Sequence, residues 1–308
     1  MDSIVTIDCN YVAPHLACAY LICEGDRAAF VENNTSHAIP LLLDALKSRG
    51  YSPEQVEYAI ITHVHLDHAG GSGSLMNLCP NATLLAHPKA ARHVINPTRL
   101  VSSAKQVYGE EVFAKLYGEI LPVPESRVRS MEDNEELKFG SRTLKFVHTR
   151  GHANHHFCVH DSKSNGIFTG DSFGIAYPVL QSNGPFLFPS TTPTEFDPGE
   201  ARLTIEKIKN TGASHAYLTH FGAFTEMQVG EEQLRTGINA FESLLNNLVE
   251  REESGGDLVE FAVSGVTEYF KTSAPWLGDV DFKFLEMDIQ LNAAGIAFAA
   301  ERMRKTRI

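Results

Sequence analysis

Thr62-His63-Val64-His65-Leu66-Asp67-His68-Ala69-Gly70-Gly71 is the stretch that decides this sequence. It places three histidines and one aspartate within six residues. The apolar run Val56–Ile61 just before it reads as a buried strand. Gly70, Gly71 and Gly73 follow, and they are expected to let the chain turn sharply. The motif therefore falls on a loop at a strand end, where binding and catalytic groups are displayed. A lone buried histidine is usually a satisfied core residue. Three imidazoles and a carboxylate together would leave polar groups to satisfy at a few kcal/mol each without a cation, on the order of the known cost of unpaired buried groups. Neutral imidazoles with carboxylate suit zinc, iron or manganese better than calcium or magnesium.

So short a loop cannot enclose two metal ions. Further ligands are expected at other strand ends, and three places fit. Leu144–His148 leads into Thr149-Arg150-Gly151-His152, Gly166–Thr169 into Gly170-Asp171, and His215–Leu218 into Thr219-His220-Phe221-Gly222. Each sets a His or Asp after a strand and beside a glycine. Any one of them alone would pass for an ordinary turn.

The ordered set His63-x-His65-x-Asp67-His68, His152, Asp171 and His220 resembles the metallo-β-lactamase-fold hydrolase superfamily, with separations of 84, 19 and 49 residues between its successive parts. The resemblance covers roughly residues 4–222. It implies an α/β fold, a four-layer αββα sandwich with two metals at one edge of the sheets. It further implies that His63, His65 and His152 hold the first metal, that Asp67, His68 and His220 hold the second, and that Asp171 bridges them. A carboxylate can bridge through two oxygens, whereas a neutral imidazole offers one lone pair. The cofactors expected are two divalent metal ions, zinc first, with iron or manganese as alternatives. Asp67 and Asp171 are the expected catalytic carboxylates.

The sequence departs from the family pattern in two places. Many members carry Asp near the end of the third strand, where Glu32-Asn33-Asn34 stands here. Many read Thr-Pro-Gly-His-Thr-Pro-Gly-His where this chain has Thr149-Arg150-Gly151-His152-Ala153-Asn154-His155-His156. His156 is expected to support the ligand loop through hydrogen bonds.

Elsewhere, Ile4–Ile7, Ala17–Ile22, Ala28–Glu32 and Ala82–Ala86 read as strands and Ile39–Arg49 as a helix with Pro40 in its first turn. Residues 88–118 read as helical, with Ala90, Val94, Val101, Val107, Val112 and Leu116 facing inward. Residues 172–196 read as an irregular segment rich in aromatics. Phe173, Tyr177, Phe186 and Phe188 are its candidate substrate-binding residues. Packing of these rings against C-terminal helices is the competing reading. Beyond residue 225 the chain reads as helices over Glu226–Arg251, Asp257–Thr272 and Phe282–Arg304. The expected organisation is thus a catalytic domain over 1–225 and a helical extension over 226–308 docked on it. The basic end Arg302-Met303-Arg304-Lys305-Thr306-Arg307 reads as a solvated helix end.

Among 308 residues the formal net charge is −12, and two divalent cations would bring it to −8. That excludes a nucleic-acid binder relying on basic surface. No stretch of about 20 apolar residues suggests a membrane span. Five cysteines without a C-x-x-C spacing, and no visible leader, point to a reduced, cytoplasmic protein. Cys18 and Cys23 should face opposite sides of one strand.

The chemistry expected is hydrolysis of an ester, thioester or lactone bond in a small, partly apolar substrate by a metal-bridging hydroxide. The full ligand set is similar to that of glyoxalase II enzymes. The helical C-terminus is similar to the branch containing the quinolone-signal response thioesterase. Gly174 stands where acyl-homoserine lactonases place a tyrosine. A di-iron redox protein acting on oxygen or nitric oxide, or a metal-bearing signalling protein, is the alternative. The expected partner is a small-molecule substrate, with neither nucleic acid nor membrane, and the helical extension is compatible with a homodimer.

Overall fold

The structure, a computed structural model, describes residues 3–191 and 194–306. Its twelve strands form two six-stranded sheets. The first sheet runs in sequence order through β1 Ile4–Asp8, β2 Cys18–Glu24, β3 Arg27–Val31, β4 Val56–Ile60, β5 Thr83–Ala86 and β6 Val128–Ser130. It begins antiparallel and becomes parallel from β3 onward. The second sheet contains β7 Glu136–Phe139, β8 Arg142–Thr149, β9 His156–Asp161, β10 Gly166–Gly170, β11 His215–Leu218 and β12 Gly222–Phe224, again in chain order. Its β10–β11 pair is parallel, as expected where a long crossover separates two strands.

The described residues form two compact units. One contains the chain up to His148, with His155–Gly170 and Thr211–Thr225. The other contains Thr149–Asn154, Asp171–Asn210 and the chain from Glu226 onward.

In the first unit the two sheets share one core. Tyr20, Val31 and Ile60 of one sheet pack with Phe139, Phe146, Phe157 and Phe168 of the other. The opposite face of the first sheet, including Leu21 and Phe30, packs on α1 Ile39–Ser48. Alternation along β2 thus sends Cys18 to the inter-sheet core and Cys23 to the helix-facing core, and among the described residues no disulfide forms.

Residues 66–78 depart from expectation. They form α2 Leu66–Ala69 and α3 Ser72–Leu78, and the three glycines provide close approach rather than a sharp turn. A Cβ on Gly71 would lie 2.9 Å from the carbonyl oxygens of Asn33 and Thr35, and one on Gly73 would lie 2.2 Å from that of Leu121. Residues 88–118 form α4 Pro88–Ile95, α5 Thr98–Tyr108 and α6 Glu110–Tyr117. Ala90 and Val94 are buried as expected, Val112 is exposed, and the side chain of Val107 lies outside the described residues.

The second unit is helical: α7 Pro198–Asn210, α8 Met227–Val249, α9 Gly256–Ser273, α10 Asp279–Phe284 and α11 Glu286–Thr306. The sequence reading missed α7, although Asp197-Pro198-Gly199-Glu200 carries a start signal. The Asp197 side chain accepts from the Glu200 amide at 3.0 Å. The basic end of α11 is not simply solvated. Arg304 donates to the carbonyls of Leu248, Val249 and Glu253, and Arg302 to those of Thr194 and Phe196. Arg307 lies outside the described residues.

Candidate metal centre

Strand β4 delivers Thr62 and His63 directly, His65 precedes α2, and Asp67 and His68 occupy the first turn of α2. Strand β11 ends two residues before His220. The first unit thereby gathers His63, His65, Asp67, His68 and His220. His63 and His68 are fully buried and His220 is nearly so.

The hydrogen bonds fix how these rings are presented. His220 Nδ1 lies 2.7 Å from the Leu16 carbonyl oxygen. A carbonyl only accepts, so Nδ1 carries the proton and Nε2 presents its lone pair. That Nε2 faces Asp67 Oδ2 at 3.4 Å. His68 repeats the pattern, with Nδ1 3.1 Å from Glu32 Oε1 and Nε2 3.7 Å from the same Asp67 oxygen. Two imidazole lone pairs thus converge on one carboxylate oxygen. Acceptors facing one another repel, and a divalent cation among them reverses the sign of the interaction. The donor set therefore fits a metal, and ligand atoms of Asp67, His68 and His220 all lie within 4.8 Å of one another.

His63 is held from behind in the same manner. The Thr62 hydroxyl donates to Glu32 Oε1, which leaves its oxygen to accept from His63 Nδ1 at 3.0 Å. His63 Nε2 then lies 2.8 Å from His65 Nδ1.

Glu32 is the residue sequence reasoning undervalued. It stands at the end of β3 with a left-handed backbone, φ 63°. Its buried carboxyl accepts from the Thr62 amide at 3.2 Å, the Thr62 hydroxyl, His68 Nδ1 and the Thr219 hydroxyl at 3.4 Å. It also belongs to a group, Glu32, His63 and His68, whose ligand atoms are mutually close. The neighbouring asparagines complete the support. The amides of Asn33 and Asn34 both donate to the His68 carbonyl, and the Asn34 side chain donates to that of Asp67 at 2.7 Å. The departure Glu32-Asn33-Asn34 is thus a cradle for residues 62–68. The signal for it was its place at a strand end just before the ligand loop in the fold.

His156 is fully buried, with its ring 4.9 Å from that of His63. Gly170, at φ +49°, leaves room for it, since a Cβ there would lie 2.5 Å from His156 Nε2 and 2.4 Å from Thr62 Oγ1.

The second unit brings His152 and Asp171 together. His152 Nδ1 is 3.3 Å from the Ser190 carbonyl oxygen, and its Nε2 faces Asp171 Oδ2 at 3.4 Å. The logic is that of His220: the outward nitrogen is tied to a carbonyl, and the inward lone pair is aimed at a carboxylate. The Ser190 hydroxyl donates to the same Asp171 oxygen at 3.4 Å.

Phe173, Tyr177, Phe186 and Phe188 are all buried in this unit. Phe186 meets Trp276, Phe188 meets Phe270, and Tyr177 meets Phe284, with ring centroids 5.7, 5.0 and 5.3 Å apart. The Tyr177 hydroxyl donates to Asp288 at 3.1 Å. The aromatic segment packs against α9–α11 and the Pro275–Leu277 turn.

Residues 19–220 match the metallo-beta-lactamase superfamily profile, and the chain belongs to that superfamily. Its members are mostly hydrolytic metalloenzymes that bind divalent metals, and the two mixed sheets with helices are its fold. A metallo-beta-lactamase fold-containing protein of Sulfurisphaera tokodaii is 25% identical over 241 residues, 76% of this chain and 83% of the relative. The structure of an archaeal superfamily protein from Sulfolobus tokodaii superposes with a TM-score of 0.66 at 21% identity, covering 96% of this chain and 98% of that one. An N-acyl homoserine lactonase from a Bacillus species is 24% identical over 191 residues, 61% of this chain and 64% of the lactonase. A family protein from Thermus thermophilus gives a TM-score of 0.65 at 18% identity, over 100% of this chain and 95% of that one. Among the described residues no helix is long and apolar enough to cross a membrane.

Proposed function

We propose that this chain is a dinuclear metal-dependent hydrolase that cleaves an ester, thioester or lactone bond of a small molecule. The observation that carries the reading is the presentation of His68, His152 and His220. Each has Nδ1 tied back to an acceptor and Nε2 aimed at an aspartate oxygen. Such pre-tied imidazoles are what metal ligation needs.

His63, His65 and His152 are assigned to one metal, Asp67, His68 and His220 to the other, and Asp171 to both, as the family pattern implies. Zinc suits this nitrogen-rich set first, with iron or manganese as alternatives. When bound, such ions acidify water to a pKa of about 7 and polarise a carbonyl oxygen. The chain's own residues do the rest. Asp67 orients the attacking water and receives its proton. Glu32, the Leu16 carbonyl and the Ser190 carbonyl hold the imidazole rings in place. No protein nucleophile is called for: Gly170-Asp171-Ser172-Phe173-Gly174 matches Gly-x-Ser-x-Gly as a pattern, but its Asp171 is assigned to the metals and its Ser172 hydroxyl donates to Thr149 Oγ1 at 3.2 Å. Similarity to a protein named as an N-acyl homoserine lactonase supports acyl C–O cleavage. Because the aromatic segment is packed inward, an acyl-chain preference finds no support in it.

The test is a panel of p-nitrophenyl butyrate, an acyl thioester and an acyl-homoserine lactone, assayed on metal-loaded protein with His63→Ala and Asp171→Asn variants. Turnover of at least one substrate, lost with the metal in both variants, supports the reading. Full turnover by a metal-free variant overturns it.

A further inference from the structure

Residues 68–109 contain no Asp or Glu, although 38 of the 308 residues of this chain are acidic. The same run carries Lys89, Arg92, Arg99 and Lys105. Lys105 is matched by Glu110, 2.7 Å away. Lys89, Arg92 and Arg99 are exposed, and among the described residues they enter no ion pair. In a chain of net charge −12 this is a local reversal of sign. A basic patch beside a site concentrates anions there and steers them in.

The patch does adjoin the candidate centre. Strands β4 and β5 are parallel neighbours, so their C-terminal ends lie at one edge of the sheet. The first delivers the ligand loop there and the second delivers α4. His93 on α4 lines one small crevice with Val64 and Leu66, the residues on either side of His65. A row of rings joins the two. The ring of His155 is 5.7 Å from that of His65 and 6.1 Å from that of His63, and the ring of His93 is 6.4 Å from His155. His65, His155 and His93 are each partly exposed, so the row is open to solvent.

At its outer end Arg92 Nε donates to His93 Nε2 at 3.2 Å. An imidazole nitrogen that accepts leaves the proton on the other, so His93 Nδ1 is a donor. The two Nη groups of Arg92 hold the rest of its donors. One planar guanidinium fork beside one imidazole N–H suits a carboxylate, which is planar and singly charged.

Resting on the hydrolase reading above, we propose that the substrate carries a carboxylate remote from the bond that is cut, and that Arg92 and His93 bind it, with His155 lining the path from there to the metal centre. The substrate class is then an acyl ester or thioester whose acyl chain ends in a second carboxylate. Arg92 and His93 touch that carboxylate and set specificity, and they take no part in bond cleavage.

The experiment compares p-nitrophenyl octanoate with mono-p-nitrophenyl suberate, which share leaving group and chain length and differ in the terminal carboxylate. It uses metal-loaded full-length wild type, Arg92→Gln, His93→Ala and Arg99→Gln, with metal content checked in each sample. Wild type is expected to favour the suberate about tenfold in kcat/KM, the scale of one charge-assisted hydrogen bond. That preference should vanish in Arg92→Gln, fall about threefold in His93→Ala and stay within about twofold of wild type in Arg99→Gln, whose charge contributes only to the general field. The difference should reside in KM, because the contact is the same before and during the reaction. No preference in wild type, an undiminished one in Arg92→Gln, an equal loss in Arg99→Gln, or losses that track missing metal would each overturn the assignment. If wild type turns over neither ester, the hydrolase reading falls, and calorimetric binding of suberate against octanoate still decides the carboxylate site. Tighter suberate binding that Arg92→Gln abolishes supports it, and equal affinities in wild type refute it.

Discussion

Replacing Glu32 by Gln tests whether the cradle behind the ligand loop matters to the metal. The carboxyl receives four donors, from the Thr62 amide, the Thr62 hydroxyl, His68 Nδ1 and the Thr219 hydroxyl. Gln has nearly the same shape but keeps one acceptor oxygen and turns the other into a donor. Because Glu32 Oε1 serves Thr62, His68 and Thr219 while Oε2 serves the Thr62 amide, either amide orientation sets a donor against a donor. One such buried conflict costs about 1–3 kcal/mol. Loosening a partner that orients a ligating imidazole lowers metal affinity roughly 10–100-fold, which corresponds to about 1.4–2.7 kcal/mol. The two ranges agree in size, as they should if the conflict is relieved by rotation of His68. The assay is competition for zinc against a chromophoric chelator, with metal content checked by elemental analysis. One metal equivalent is expected to weaken by that factor while the fold persists. Zinc affinity within about twofold of wild type would refute the reasoning, since that is well below the predicted loss.

Other expectations concern stability. Arg142 is fully buried between Glu24, 3.0 Å away, and Asp161. Arg142→Ala leaves two buried carboxylates and should cost about 3–5 kcal/mol by chemical denaturation, and a loss below about 1 kcal/mol would sink the prediction. Burial alone would raise the Glu24 carboxyl, but Lys163, Ser141 and Arg142 outweigh it and hold it at about 2, below its usual 4.5. The folded state therefore binds fewer protons than the unfolded one in this window. The stabilisation is present above pH 4.5 and is lost as pH falls toward about 2. Melting curves across that window should slope in wild type and slope less in Lys163→Ala, which removes the largest of the contacts that hold the carboxyl down. Phe188→Ala removes a buried ring packed on Phe270 and should cost about 3–5 kcal/mol. Wild-type stability with an altered substrate preference would show instead that the ring faces a ligand.

Much of the centre was legible because its ligands follow strands, and apolar strands announce themselves locally. Strands β3, β4, β10 and β11 appear where the pattern put them, and the candidate residues His63–His68, Asp171 and His220 follow the last three. The short strands β6 and β12, three residues each, carry too little periodicity to read. The glycines after His68 looked like turn residues, but what they relieve is contact with Asn33, Thr35 and Leu121, distant in sequence. The same holds for Glu32. A carboxylate reveals its task only through the partners the fold brings to it. The aromatic richness of residues 172–196 was real, yet composition does not tell a ligand pocket from a core. The packing partners, Phe270, Trp276 and Phe284, lie far along the chain and so could not be read locally.

The most direct measurement is elemental analysis of protein purified without added metal, followed by the ester, thioester and lactone panel on that same sample. Two zinc equivalents per chain with turnover of one of these substrates is the predicted result. Two irons with oxygen consumption and no hydrolysis, or full hydrolysis after the metal is stripped, would contradict it.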